Sequence, residues 1–521
     1  MHDAPSARRA NLALPGIALA LATYVAAVAI GLPQHGRDLL VASQAAHADA
    51  HAHHDAGHQN PPAAAGHAAE APPLLTVIPF VLLLGAIAVL PLVPAAAHWW
   101  EHNSSKLLVA GLLAAVTLAY YLLGHRHPID LHFPAHAVVP PAASGPLWTT
   151  VGAVLANAIL SEYVPFITLL FALYVVTGGV RIEGDLEATP TTNAAFLAVG
   201  AALASFIGTT GAAMLLVRPL LDTNSERRHV AHTLVFFIFM VCNCGGLLLP
   251  IGDPPLFLGY LQGVDFLWTT SLWRPWAFTN GLLLATYWLW DTFLAYPKET
   301  RSDRIRDRAL ARSLRFSGLW PNLPLMAGVI AAVALLDPSK TVPGTGWHPW
   351  VYLREAVLLT CVGLSLLLGS AEIRRRNHFT YAAILEVAAL FVGIFICMQP
   401  ALALLSVHGD SLGIQSPHAY FWATGLLSAV LDNAPTYLVF FEAAGIQPGD
   451  GLDGTESRLL AAISLGAVFL GAMTYIGNGP NFMVKAIAEQ SGVRMPSFFG
   501  YVMYSMGVLL PVFALMAWLF V

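Results

Sequence analysis

Apolar runs of about 20 residues, the length a helix needs to cross a hydrocarbon layer roughly 30 Å thick, recur along almost the whole of this 521-residue chain. A lipid interior offers no water to backbone N–H and C=O groups, so only α-helices and closed β-barrels can cross it. Barrel strands alternate polar and apolar residues, whereas these runs are continuously apolar. The chain therefore reads as an all-α polytopic membrane protein. Its composition, 57% hydrophobic and 11% charged, excludes an ordinary soluble protein. A net charge of -5 without a basic stripe gives no footprint for nucleic acid. Cys242, Cys244, Cys361 and Cys397 all fall in apolar segments and read as small buried hydrophobes. No phosphate-binding loop, no paired nucleophile and base, and no soluble stretch long enough for a catalytic core is visible. The expectation is a protein that is not an enzyme and carries no cofactor.

Residues 1–31 hold Arg8 and Arg9 followed by an apolar run, the pattern of an N-terminal transmembrane helix or signal anchor. Residues 32–72 include "AHADAHAHHDAGHQNPPAAAGHAAEAPP", rich in Ala, His and Pro without hydrophobic periodicity, and read as a disordered linker. His47, His51, His53, His54 and His58 in this tail are candidate ligands for a borderline metal, with a solvated, proton-buffering tail as the other role. His125, His127, His132 and His136 form a second histidine group, before residue 145.

Spans are expected near 74–96, 105–124, 164–180, 231–264, 275–296, 319–337, 351–370, 381–398, 458–490 and 497–521. The 231–264 and 458–490 runs are interrupted, and two further segments, 194–221 and 418–445, are broken in the middle. Charge decides how to count these last two. The 297–318 loop carries Lys298, Arg301, Arg304, Arg306, Arg308, Arg312 and Arg315, and such a loop stays cytoplasmic. If both broken segments are re-entrant hairpins, Arg8 and Arg9, Arg227 and Arg228, Arg374 to Arg376 and Arg494 share its side. If they cross fully, the "NSERRH" loop lands opposite. The charges favour hairpins and a cytoplasmic N-terminus.

Three pieces recur in order. "FALYVVTGG" at 171 meets "FVGIFICMQ" at 391, "SFIGTTGAA" at 205 meets "SAVLDNAPT" at 428, and "IGDPPLF" at 251 meets "IGNGPNF" at 476, with offsets of 220, 223 and 225. The halves, 73–296 and 319–521 on either side of the 297–318 loop, are inverted copies under the charge-based topology. Inverted repeats with interrupted helices are how secondary transporters place a site near the bilayer midplane. Ser205, Thr209, Thr210, Asn243 and Asp253 in the first half, and Ser428, Asp432, Asn433, Thr436, Thr474, Asn478 and Asn481 in the second, bring oxygens to these Gly- and Pro-rich breaks. Carboxylates, amides, hydroxyls and bare carbonyls are what a hard cation such as sodium takes as ligands. An acid inside the membrane is a functional candidate by default, so Asp432 is expected at the centre of the site with Asp253 beside it. The alternative for each is a cap on the half-helix that follows.

The segments "YVPFITLLFALYVVTGG", "GTTGAAMLLVRPLL", "GGLLLPIGDPPLFLGYL", "SAVLDNAPTY" and "TYIGNGPNFMVKAI" resemble the ion transporter superfamily, most closely its bacterial sodium/proton antiporter branch, which is citrate-transporter-like. The resemblance covers about residues 74–521. It implies two inverted five-helix repeats, each with a re-entrant hairpin and an unwound helix, plus one extra N-terminal helix, a scaffold part that makes a homodimer, and a moving transport part in the bacterial cytoplasmic membrane. Dicarboxylate carriers of that superfamily present a Ser-Asn-Thr type signature at both hairpin tips, and this chain has Gly208, Thr209 and Thr210 at the first. The expected function is exchange of sodium, or lithium in its place, for protons. The alternatives are a sodium-coupled di- or tricarboxylate symporter, a metal-binding membrane protein organised by the histidine tail, and a channel.

Overall fold

The computed structural model describes residues 12–55, 71–141, 145–448, 452 and 454–521, and the side chains of 44–55, 410 and 412 are also left out of the description. Within these bounds the chain is predominantly helical, as its apolar runs require. Six helices are long and apolar enough to cross a membrane: Leu74–Leu92, Asn103–Leu123, Trp148–Thr177, Pro190–Ile207, Gly454–Met473 and Phe498–Phe520. Two bent pairs, Leu14–Ala29 with Leu32–Ser43 (67°) and Ala382–Cys397 with Gln399–His408 (43°), raise the number to eight if each is one span. Pro190–Ile207 reaches 18 residues although the sequence reads as a hairpin arm there. Length alone does not separate a full span from a long arm.

Three segments differ from expectation. The tail read as irregular from residue 32 is helical over Leu32–Asp55, since its many alanines are the strongest helix formers; His58 lies outside the described residues. The span expected at 164–180 begins earlier, at Trp148, and runs through a π-helical stretch, Ala156–Tyr163. The basic loop is also ordered. Thr300 caps a helix, Arg301–Leu310, its hydroxyl accepting from Asp303 N at 3.1 Å, and Arg308 falls in the last turn where the helix dipole favours a cation. Arg312–Ser317 then pairs antiparallel with Arg181–Asp185, Ile182 facing Phe316.

The chain folds as two compact units, and neither follows the sequence halves. The first takes residues up to 172 with 327–367 and 380–409. In it Ala382–Cys397 packs on Asn103–Leu123 at small residues, so close that a Cβ on Gly393 would stand 2.7 Å from that of Ala110. Phe166 stacks on Phe391 at 4.8 Å between ring centroids, and Lys106 pairs with Glu386 at 2.7 Å. The opposite face of Asn103–Leu123 exposes Leu108, Leu112 and Val116, each more than half exposed, a surface whose natural solvent is hydrocarbon.

The second unit takes 173–326, 368–379 and 410–521. Its centre holds two helical hairpins, Pro190–Ile207 with Thr209–Thr223 and Pro417–Ser428 with Asn433–Ala443, and two interrupted helices. One interruption joins Ala231–Met240 to Pro254–Leu261 and the other joins Gly454–Leu470 to Gly479–Gln490. Trp273–Trp290 and Phe498–Phe520 pack beside them.

Candidate functional site

Each interruption is stopped by Pro and tightened by Gly. Pro254 and Pro480 occupy the first turns of the half-helices, where a missing N–H does no harm. Immediately before each, the backbone folds back on itself. A Cβ on Gly252 would collide with the carbonyl of Gly246, and one on Gly477 would stand 2.6 Å from that of Gly471. The two contacts repeat at the same sequence offset, 225, as the "IGDPPLF" and "IGNGPNF" pair. The first hairpin turns at Gly208, whose φ of 78° favours glycine. Thr209 N then donates to Gly252 O at 2.8 Å, tying the hairpin tip to the neighbouring break.

Interrupted helices free carbonyls that need donors, and four of the expected residues meet that need. Ser205 Oγ donates to Gly245 O at 2.6 Å and Ser428 Oγ to Ala467 O at 2.7 Å, the same job in each half. Thr474 Oγ1 donates to Ala429 O and accepts from Gly477 N at 3.1 Å. Asn481 Nδ2 donates to Gly471 O and Thr474 O, both at 2.9 Å, while its Oδ1 accepts from Asn243 Nδ2 at 2.8 Å. That amide pair joins the first interruption to the second.

The chemistry converges on Asp253. It stands at the N-cap position of Pro254–Leu261 but makes no cap with its side chain. Its carboxylate instead accepts from Thr209 Oγ1 at 2.9 Å, Asn433 Nδ2 at 2.6 Å and Asn478 Nδ2 at 3.1 Å. Both hairpin tips and both interruptions therefore meet on one acid, which is 1% exposed. Among the described residues no Lys, Arg or His forms an ion pair with it. Asn433 spends its amide on Asp253, and its Oδ1 remains buried with no partner. Asn478 also donates to Cys242 O at 3.0 Å, so a bare carbonyl belongs to the cluster, which the sequence motifs did not single out.

Asp432 has the other role. It is the N-cap of Asn433–Ala443, its Oδ1 accepting from Ala434 N at 3.0 Å, and Thr436 Oγ1 donates to its carbonyl at 2.9 Å. Asp432 thus orients the half-helix whose first residue, Asn433, grips Asp253. Thr210 is half-buried, one residue beyond Thr209. The extramembrane histidines divide into two pairs, His125 with His127 and His132 with His136, at ring separations of 5.5 and 5.0 Å. Burial, with His127 beside it, pushes His125 down to about 4. The side chains of His47, His51, His53 and His54 lie outside the described residues.

No curated protein matches the chain. Residues 125–521 match the family described as "Putative citrate transport", a stretch that contains every residue of the Asp253 cluster. A match over most of the length, on a helical chain with six to eight candidate spans, excludes an enzyme reading and makes this a multi-pass membrane transporter of the secondary active kind. The chain belongs to the citrate-transport family of secondary transporters.

Proposed function

We propose that this transporter exchanges sodium, or lithium in its place, for protons by alternating access, with Asp253 as the carboxylate on which the two compete. One observation carries the reading: a fully buried acid without an ion-pair partner among the described residues, held by three neutral donors drawn from both halves. A lone carboxylate in a dry site must take either a proton or a cation. The unpartnered Asn433 Oδ1, the hydroxyl of Thr209 and the nearby carbonyls offer further oxygens to a hard cation. A proton arriving on Asp253 would release the cation and let the two halves, inverted copies in this reading, swap access. The site centre is thus Asp253 rather than Asp432, whose carboxylate is engaged at a helix terminus. A homodimer in the bacterial cytoplasmic membrane, with the N-terminus in the cytoplasm, belongs to the same proposal.

Purified protein in liposomes with an acidic interior and a pH dye inside tests it. A pulse of external sodium should raise the internal pH within seconds, and choline should not. A sodium pulse that leaves the dye unmoved would reject exchange. The family description favours a second reading, sodium-coupled uptake of a carboxylate, in which the N-termini of Pro254–Leu261, Asn433–Ala443 and Gly479–Gln490 bind the anion. Against it, an ionised Asp253 repels an anion. Sodium-dependent uptake of radiolabelled citrate or succinate would select it.

Asp432→Asn separates charge from capping, since Asn caps a helix about as well as Asp. The variant should fold normally and keep exchange, with the sodium needed for half-maximal rate raised by about threefold to tenfold, as suits a charge near the site but not in it. Complete loss of exchange in this variant would move the centre back to Asp432.

A further inference from the structure

Away from the Asp253 cluster, three acids from three elements of the second unit meet on the side of the basic 297–318 loop. Asp185 ends the strand Arg181–Asp185, Glu226 lies in the turn after Thr209–Thr223, and Asp307 sits on the helix Arg301–Leu310. A carboxylate oxygen of each lies within 4.8 Å of the others. Three acids this close repel, and a protein can arrange them by chance at its surface. Asp307 is not at the surface, being only 4% exposed. Its Oδ2 accepts from Ala188 N at 2.9 Å, and its Oδ1 is buried with no hydrogen-bond partner. Asp185 also keeps one buried, unpartnered oxygen, Oδ1. The neighbouring charges do not resolve the conflict. Glu187 and Asp222 add negative charge nearby, and Arg312 adds positive charge beside Asp185.

We propose that Asp185, Glu226 and Asp307 bind one hard divalent cation of the calcium or magnesium class. All-oxygen, all-carboxylate donors exclude a soft metal. Calcium accepts oxygens at about 2.3–2.6 Å in flexible geometry, so opposite ligands about 4.6–5.2 Å apart suit it, and small rotamer changes would contract the set for magnesium. The ion would staple the loop helix Arg301–Leu310 to the strand that leads into the first hairpin and to the turn that leaves it. It acts on the order of that loop, not on the transported ion.

The test uses the full-length protein in detergent, stripped with a chelator and dialysed. Radioactive calcium should bind saturably at one ion per chain, and calcium or magnesium should raise the thermal midpoint and slow proteolytic cutting within 297–318. Asp307→Asn keeps an oxygen for Ala188 N and should fold, yet weaken binding at least tenfold. Glu226→Gln, on a more exposed loop, should do the same. Asp253→Asn should leave calcium binding unchanged, which separates this site from the transport cluster. Absence of saturable binding, or binding retained in both Asp307→Asn and Glu226→Gln, would overturn the assignment, as would its loss in Asp253→Asn alone.

Discussion

Asp253→Asn should lower sodium-driven proton movement by about a hundredfold or more while leaving a folded protein. The substitution keeps the size of the side chain and the oxygen that accepts from Thr209 and Asn478, and its new amide N–H can meet Oδ1 of Asn433 once that amide turns over, so the cluster can persist. What disappears is the charge. An interaction between a buried ion and a carboxylate contributes on the order of 3 kcal/mol, and each 1.4 kcal/mol is about tenfold. Because an unpaired buried carboxylate is itself unfavourable, the variant's thermal midpoint should equal or exceed that of the wild type. That pairing of effects, a dead exchanger that is at least as stable, distinguishes a transport role from a structural one. Wild-type exchange in this variant would dismiss Asp253 as the competing acid, and a strongly lowered midpoint would mark it as a structural anchor.

The second large effect concerns a charge network that no motif announces. Asp291, wholly buried, accepts from Arg227 Nη1 at 2.9 Å and Nη2 at 2.5 Å, from His232 Nε2 at 3.0 Å and from Tyr287 Oη at 3.2 Å. The other acid near Arg227 is Glu299, 3.8 Å from Nε. Asp291→Leu leaves a guanidinium buried against a poor partner, a change that typically destabilises by about 3–5 kcal/mol. The thermal midpoint in detergent should fall by at least about 5 °C, given roughly 2–4 °C per kcal/mol for domains of a few hundred residues. Replacing both ends, Arg227→Met with Asp291→Leu, should restore most of that loss, since apolar groups of similar volume satisfy themselves. A double variant as unstable as the single one would mean that the pair's geometry, and not its charge balance, holds this region.

The two acids of the membrane region show where reading a chain in one dimension stops. Asp253 and Asp432 both precede a half-helix that begins with proline nearby, and in sequence each is open to a role as a cap or as part of a site. The backbone at Asp432 lets its own carboxylate reach Ala434 N two residues on, a local bond. At Asp253 the residue two on is Pro255, which has no N–H to give, and Thr209, Asn433 and Asn478 arrive from 44, 180 and 225 residues away to take its oxygens. Likewise Ser205 and Ser428 were visible as polar residues in apolar stretches, but only packing shows that each serves a carbonyl freed on a neighbouring helix.

Local sequence determined what depends on solvent and on the backbone of a few neighbours: helices long enough for a bilayer, the Gly and Pro positions where helices stop, and the oxygen-bearing residues at those stops. The recurrence of "IGDPPLF" as "IGNGPNF" 225 residues on has its counterpart in the fold, where Gly252 and Gly477 make matching close turns. The tertiary structure alone decided which acid is shared and which caps, that the basic loop forms a strand against Arg181–Asp185, and that each of two compact units takes residues from both sides of the 297–318 loop. The physical reason is range: hydrophobic periodicity and backbone conformation act over one or two turns, whereas a buried carboxylate takes its role from whichever donors the fold delivers to it.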